Sequence, residues 1–115
     1  LNEGVVTLLA CGTGNPYFTT DTAAALRGAE IGAQALLKAT TVDGVYDRDP
    51  RRHPDAKRFA RLTFDEALAR ELRVMDLTAF SLCRDRGLPI IVFPFDPLEN
   101  IVRLAQGADM GTRIE

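Results

Sequence analysis

A stretch near the start of the chain combines residue types that bind anions. Residues 11–20 read Cys-Gly-Thr-Gly-Asn-Pro-Tyr-Phe-Thr-Thr. Glycine amides allow close approach of a ligand, the hydroxyl groups can donate to phosphate oxygens, and the N-terminus of a following helix favours anions. These features are typical of a site for a phosphorylated small molecule. The spacing matches neither the GxGxxG dinucleotide motif nor the GxxxxGKS/T phosphate loop, so a purely structural loop is the alternative interpretation.

A carboxylate follows this loop directly. Asp21 would compete with a bound phosphate for the same helix end, so a cation is expected nearby. The chain has two lysines, Lys38 and Lys57, and Lys38 falls at the carboxyl end of a predicted strand. Two interpretations stay open. Asp21 either only caps the helix, or it orients Lys38 or a magnesium ion that neutralises phosphates during a transfer reaction.

A second polar loop begins where that strand ends. Residues 38–50 bring together hydroxyl groups, a turn at Asp43-Gly44 and the aromatic ring of Tyr46, which is suited to lie against a flat base. A capped hairpin with Tyr46 as half-buried packing is the alternative. Ligands of open α/β sheets collect beyond the carboxyl ends of the strands, so both loops are expected to border one site.

The elements that must position these loops alternate between strands and helices. Hydrophobic periodicity predicts strands at residues 5–10, 35–39, 88–93 and 111–114, and helices at residues 20–32, 63–72, 77–86 and 97–106. The expected helix caps are Thr20 or Asp21, then Thr63 with Glu66, and finally Asp96. The alternation predicts a single α/β domain in which the first strand pairs in parallel with the second.

Composition narrows the class of protein. With 115 residues and a formal charge of −2, the chain fits one soluble domain and carries no overall sign of a nucleic-acid or membrane partner. Cys11 and Cys83 stand far apart and the chain has one histidine, so reduced thiols in a cytoplasmic protein are expected. Residues 48–61 carry excess positive charge, but interleaved aspartates favour a solvated loop over a nucleic-acid surface. No signal-peptide pattern and no apolar run near the length that a bilayer requires are present.

Three groups of residues carry a specific family resemblance. They read Thr-Gly-Asn-Pro-Tyr-Phe-Thr-Thr-Asp-Thr-Ala-Ala-Ala-Leu-Arg at residues 13–27, Leu-Lys-Ala-Thr, Val-Asp-Gly-Val-Tyr and Asp-Pro within residues 37–50, and Pro-Ile-Ile-Val-Phe at residues 89–93. Together they resemble the carboxyl-terminal half of the bacterial uridylate kinases (UMP kinases), members of the amino acid kinase superfamily. The resemblance implies a three-layer α/β/α fold with a mainly parallel sheet. It also implies that residues 1–115 form one partial domain, the nucleotide-binding half, without the amino-terminal half.

The resemblance implies a reaction and a set of site residues. The reaction is transfer of the γ-phosphoryl group of ATP to UMP, giving UDP and ADP in pyrimidine nucleotide synthesis, with Mg²⁺ accompanying ATP. Catalytic roles fall to Asp21 and Lys38, and no residue is assigned as a metal ligand. UMP binding is assigned to Thr13, Gly14, Asn15, Pro16, Tyr17, Phe18, Thr19 and Thr20. ATP binding is assigned to Thr40, Tyr46 and Asp49.

The resemblance also implies a cytoplasmic homo-oligomer, typically a hexamer, with GTP as activator and UTP as inhibitor. A noncatalytic nucleotide-binding or interaction fragment is the alternative, because the family's lysine-containing Lys-Leu-Ser-Gly phosphate segment is not among these residues. Cys11 departs from the family, which usually has glycine there. If this position has a positive φ, the cysteine costs about 1 to 2 kcal/mol.

Overall fold

Helices and strands alternate along residues 3–115, the part of the chain that the computed structural model describes. In chain order they are α1 Thr20–Glu30, β1 Leu36–Thr40, β2 Arg61–Leu62, α2 Phe64–Ala69, α3 Leu77–Arg86, β3 Ile90–Pro94, α4 Glu99–Ala105 and β4 Thr112–Ile114. The α/β prediction is confirmed, and each strand predicted after α1 has a counterpart within about two residues of its expected position.

The strands form one four-stranded sheet in the order β1-β3-β4-β2. β1 pairs in parallel with β3, which places Lys38 opposite Val92, and β2 pairs in parallel with β4. Only the β3–β4 pairing is antiparallel among the described strands. The sheet is therefore mainly parallel, as predicted.

The core lies where α1 and α3 pack together and against the central strand β3. Ile90 and Val92 of β3 are buried, and the ring of Phe80 on α3 meets Phe64 edge to face with centroids 5.2 Å apart. Cys83 is fully buried in this cluster, and burial raises the pKa of its thiol to about 11. The side chain thus packs as a neutral apolar group.

Local signals set the ends of α2 and α3. The Thr63 amide donates to Glu66 Oε2 at 2.9 Å and the Glu66 amide donates to Thr63 Oγ1 at 3.0 Å, which completes the predicted capping box. α3 ends at Gly87, whose φ of 62° is the left-handed conformation expected of a terminating glycine. α2 ends at Ala69, before the predicted Leu72, because Glu71 leaves the helical conformation with φ 54°.

The predicted strand at residues 5–10 does not form. The side chains of Val6 and Leu8 are 86% and 89% exposed, and β1 pairs with β3 instead of with this run. A strand needs a neighbour to satisfy its backbone amides and carbonyls, and no strand of the described residues pairs with residues 5–10. The predicted pairing of the first two strands is therefore wrong.

α1 begins at Thr20 as predicted, but its cap precedes the residues expected to form it. Thr19, not Thr20 or Asp21, is the cap, because its backbone is extended (φ −86°, ψ 172°) and its hydroxyl accepts from the Thr22 amide at 3.4 Å. Asp21 consequently lies inside the first helical turn.

The start of α4 also differs from the prediction. α4 begins at Glu99 after Leu98, whose backbone is already helical and whose side chain makes no cap, so Asp96 is not the cap. The Asn100 amide donates to the Pro97 carbonyl at 3.0 Å, and this turn leads the chain into the helix without a side-chain cap.

Candidate active site

The loop before α1 turns sharply and presents its side chains to solvent. Thr13 Oγ1 accepts from the Asn15 amide at 3.0 Å, which fixes the first turn. Tyr17 has a φ of 70° and a side chain that is fully exposed, and Phe18 is 51% exposed. The loop residues expected to bind UMP therefore form an open surface next to the N-terminus of α1.

Cys11 adopts the left-handed conformation that favours glycine, with φ 69°. We expect Cys11→Gly in the full-length protein to raise the free energy of unfolding by about 0.5 to 1 kcal/mol, since relief of the strain exceeds the entropy that glycine adds to the unfolded chain. Urea unfolding measures the change. Cys11→Ala is the matched control, because alanine keeps the Cβ atom, and equal stability of the two variants would contradict the strain.

An ion pair joins α1 to β1. Lys38 Nζ donates to Asp21 Oδ2 at 2.6 Å, and the two side chains are 26% and 30% exposed. The structure thus brings together the two groups for which a charge-organising role is predicted. Thr19 already caps the helix, so capping does not explain Asp21. Partial burial strengthens the pair's electrostatic field relative to a pair in open water.

Two cavities meet at Lys38. One, of about 590 Å³, is lined by Lys38 together with all three residues expected to bind ATP, Thr40, Tyr46 and Asp49. The other, of about 290 Å³, is lined by Lys38, Asp21 and Thr20. Residues 13–18 line neither cavity. A third cavity of about 670 Å³ lies along α2 and α3, and neither Asp21 nor Lys38 lines it.

The turn that carries Tyr46 is held by β4. The Val45 amide donates to Thr112 Oγ1 at 2.9 Å, and a Cβ atom on Gly44 would lie 2.7 Å from the same oxygen, so this close approach requires glycine. Tyr46 is half-buried, and its hydroxyl group donates a hydrogen bond to Asp43 Oδ1 at 2.7 Å. That hydrogen bond raises the pKa of Tyr46, which keeps the phenol neutral beside the cavity.

The basic loop that follows is interleaved with acids. Asp49 Oδ1 accepts from the Arg51 amide at 2.9 Å, which orders the loop at the cavity rim. Ion pairs of this loop are Arg48 with Asp55 at 3.7 Å, Arg52 with Asp49 at 3.9 Å and Arg58 with Asp43 at 3.9 Å. These exposed pairs support the interpretation as a solvated loop.

The segment between α2 and α3 was not identified from the sequence as part of the site. The lining of the 590 Å³ cavity also includes Arg70, Arg73 and residues 71, 72 and 74. Arg70 also lies over the ring of Phe59, 5.2 Å from its centroid. The sequence predicts the end of a helix at residues 70–72 and a connection after them, and neither prediction indicates that they line the cavity beside β1, which is a tertiary feature.

Asp76 is the second feature that the sequence reasoning missed. Its carboxylate accepts hydrogen bonds from the Thr19 hydroxyl, from Thr22 Oγ1 at 3.1 Å and from the Ala79 amide at 2.8 Å. Burial alone would raise the pKa of Asp76, but these hydrogen bonds and the charge of Lys38 outweigh burial and hold the pKa below its ordinary value. An aspartate before an apolar helix is a recognisable N-cap signal, whereas its contacts with α1 are not visible in the sequence.

Residues 3–115 contain no group of three or more His, Cys, Asp or Glu side chains placed to hold a metal ion. None of the helices within them has the length and apolarity needed to cross a membrane.

The site consists of the polar loop beyond the carboxyl end of β1, the cavities next to it and the Asp21–Lys38 pair. This arrangement defines an α/β protein with a cleft of nucleotide size. More specifically, the chain belongs to the amino acid kinase family, whose sequence model matches residues 1–94.

Solved structures with the same fold include three nucleotide kinases. UMP kinase from Bacillus anthracis is 36% identical, with a TM-score of 0.86 over 90% of this chain and 43% of that one. UMP kinase from Ureaplasma parvum is 42% identical, with a TM-score of 0.83 over 90% and 45%. Uridylate kinase from Archaeoglobus fulgidus is 34% identical, with a TM-score of 0.75 over 90% and 50%. The chain therefore spans about half the length of the structures it matches.

Proposed function

We propose that the protein containing this chain is a UMP kinase, which transfers the γ-phosphoryl group of ATP to UMP and yields UDP and ADP. The observation that carries the proposal is the Asp21–Lys38 pair, 2.6 Å apart, at the junction of two cavities. Likeness to three structures named as UMP or uridylate kinases supports the choice of UMP.

In this proposal both nucleotides bind next to Lys38, which lines the two cavities. UMP lies against residues 13–20 with its phosphate toward the N-terminus of α1, and ATP occupies the larger cavity beside Thr40, Tyr46 and Asp49. The Lys38 ammonium stabilises negative charge on the transferring phosphoryl group. Asp21 fixes the position of that ammonium, so the charge needs no reorganisation during the reaction.

Mg²⁺ accompanies ATP in the proposed reaction. Magnesium in kinases takes most of its ligands from phosphates and water and few from the protein. Asp47, Asp49 and Glu71 line the cavity assigned to ATP and Asp21 lines the neighbouring one, so carboxylates that would serve as its few protein ligands are present at both cavities. When bound, Mg²⁺ would neutralise phosphate charge.

We further propose that residues 1–115 are the carboxyl-terminal, nucleotide-binding half of one amino acid kinase domain. Two features support this assignment. The apolar side chains of residues 5–9 are largely exposed, and β1 is an edge strand of the sheet that the described residues form. Additional strands from the rest of the domain would cover both features.

On the basis of the family resemblance, we also propose that the protein is a homo-oligomer, typically a hexamer. We propose activation by GTP, inhibition by UTP and a cytoplasmic location on the same basis. The free thiols of Cys11 and Cys83 fit a reducing compartment.

An acceptor series tests the proposed function. Release of ADP from ATP is measured with the full-length protein and UMP, CMP or aspartate as acceptor, at matched concentrations. We expect the largest kcat/KM with UMP. Equal rates with UMP and CMP, or a preference for aspartate, would refute the assignment.

The alternative is a noncatalytic nucleotide-binding fragment, which the open loop at residues 13–18 favours because these residues line neither cavity. Calorimetry of the 115-residue chain with UMP and with ATP examines it. Binding of either nucleotide without ADP release supports a binding fragment, and turnover by the fragment alone excludes it.

A further inference from the structure

Asp76 connects the starts of α1 and α3 through one carboxylate. Its Oδ2 accepts from the hydroxyl of Thr19, the cap of α1. Its Oδ1 accepts from Thr22 Oγ1 at 3.1 Å and from the Ala79 amide at 2.8 Å, at the start of α3. Asp76 therefore joins the N-terminal turns of two helices that pack against each other.

A helix cap alone accounts for only one of these contacts. Capping α3 requires the bond from Ala79 and leaves Oδ2 free for water. Here Oδ2 is engaged by Thr19 instead, and the buried hydroxyl of Thr22 also points at the carboxylate. Hydrogen bonds to an ionised acceptor are among the stronger ones, so this connection restrains the start of α1.

The restrained turn is the one that carries the proposed chemistry. Thr19 ends the loop expected to bind UMP, and Asp21, two residues later, holds Lys38 at 2.6 Å. We propose that Asp76 is a positioning residue, which fixes the UMP loop and the first turn of α1 relative to Lys38. This inference rests on the proposed function, because the ligand assigned to the loop is UMP.

Asp76→Ser separates positioning from capping. Serine is a good helix cap, so α3 keeps its cap, but the shorter side chain no longer reaches both threonine hydroxyls. In the full-length protein we expect kcat/KM for UMP to fall by about 10- to 100-fold, because small displacements of reacting groups have effects of this size. KM for ATP should change less than about twofold, since Asp76 does not line the cavity assigned to ATP.

Hydrogen exchange of residues 19–22 provides a readout that does not depend on activity. The Thr22 amide donates to Thr19 Oγ1, and we expect its exchange to be faster in Asp76→Ser than in the wild type. Asp65→Ser is the matched control, because Asp65 lies in the first turn of α2 and pairs with Arg84 on the surface at 2.7 Å. This control should change neither the exchange nor the kinetics.

The results separate failure of the positioning role of Asp76 from failure of the proposed UMP kinase function. If the wild type phosphorylates UMP and Asp76→Ser keeps wild-type kinetics with an intact fold, positioning by Asp76 is overturned. If the wild type does not phosphorylate UMP, the proposed function is lost, and the exchange data then decide alone. Unchanged protection of residues 19–22 would overturn the restraint, and faster exchange would support it.

Discussion

Replacing Asp21 with asparagine in the full-length protein is expected to lower kcat for UMP phosphorylation by about 100-fold, while KM for UMP changes less than about threefold. Asparagine keeps the shape of the side chain and removes the charge that holds Lys38 Nζ at 2.6 Å. The ammonium then occupies several positions, and the loss is greatest in the transition state, where charge on the transferring group is largest.

Steady-state kinetics with UMP varied at saturating ATP measures this effect. Asp85→Asn is the matched control. Asp85 is exposed on α3, so its replacement removes the same charge at a position away from the cavities. If Asp21→Asn changes kcat and KM by equal and small factors, Asp21 has no part in positioning Lys38 for catalysis. Its role is then limited to a favourable interaction with the dipole of α1.

Lys38→Met should produce the larger loss, a fall in kcat of about 1,000-fold, because the cation itself is removed. Methionine preserves much of the length and the apolar stem of lysine, so packing along β1 is retained. Lys57, the other lysine of the chain, lies in the exposed loop, and Lys57→Met is the control. KM for ATP should rise as well, since Lys38 lines the cavity assigned to ATP.

The double variant Asp21→Asn with Lys38→Met extends this comparison. If Asp21 acts through Lys38, adding the asparagine to Lys38→Met should lower kcat by less than about threefold further, because residues that act as a unit are not additive. Retention of more than about a tenth of wild-type kcat in Lys38→Met would show that another group supplies the positive charge.

Sequence patterns were reliable where local chemistry determines the structure. The reciprocal bonds of Thr63 and Glu66 join neighbours within one helical turn, and this capping box was predicted. The Asp21–Lys38 contact spans a helix and a strand. It was nevertheless predictable, because a carboxylate at a helix N-terminus beside an anion loop requires a cation and the chain has two lysines.

Sequence patterns failed where a distant partner decides the outcome. Residues 5–10 have the composition of a buried strand, but pairing requires a neighbour, and β1 pairs with β3. One local signal failed as well, because Asp96 has the right type and spacing to cap α4, whereas a turn closed by the Pro97 carbonyl leads into the helix instead. The contacts of Asp76 with Thr19 and Thr22 cross more than 50 positions of sequence, so no local pattern indicates them.

If Lys38 and Asp21 serve the transfer of a phosphoryl group to UMP, the γ-phosphoryl group of ATP must pass to a uridine nucleotide, and the identity of the labelled product shows whether it does. The full-length protein is incubated with UMP and ATP labelled in the γ-phosphoryl group, and the products are separated. We predict that the label appears in UDP, in step with the ADP formed, and that Lys38→Met lowers the rates of formation of both products together by about 1,000-fold. Label found only in inorganic phosphate, with no labelled uridine nucleotide, would show that the protein does not transfer the phosphoryl group to UMP.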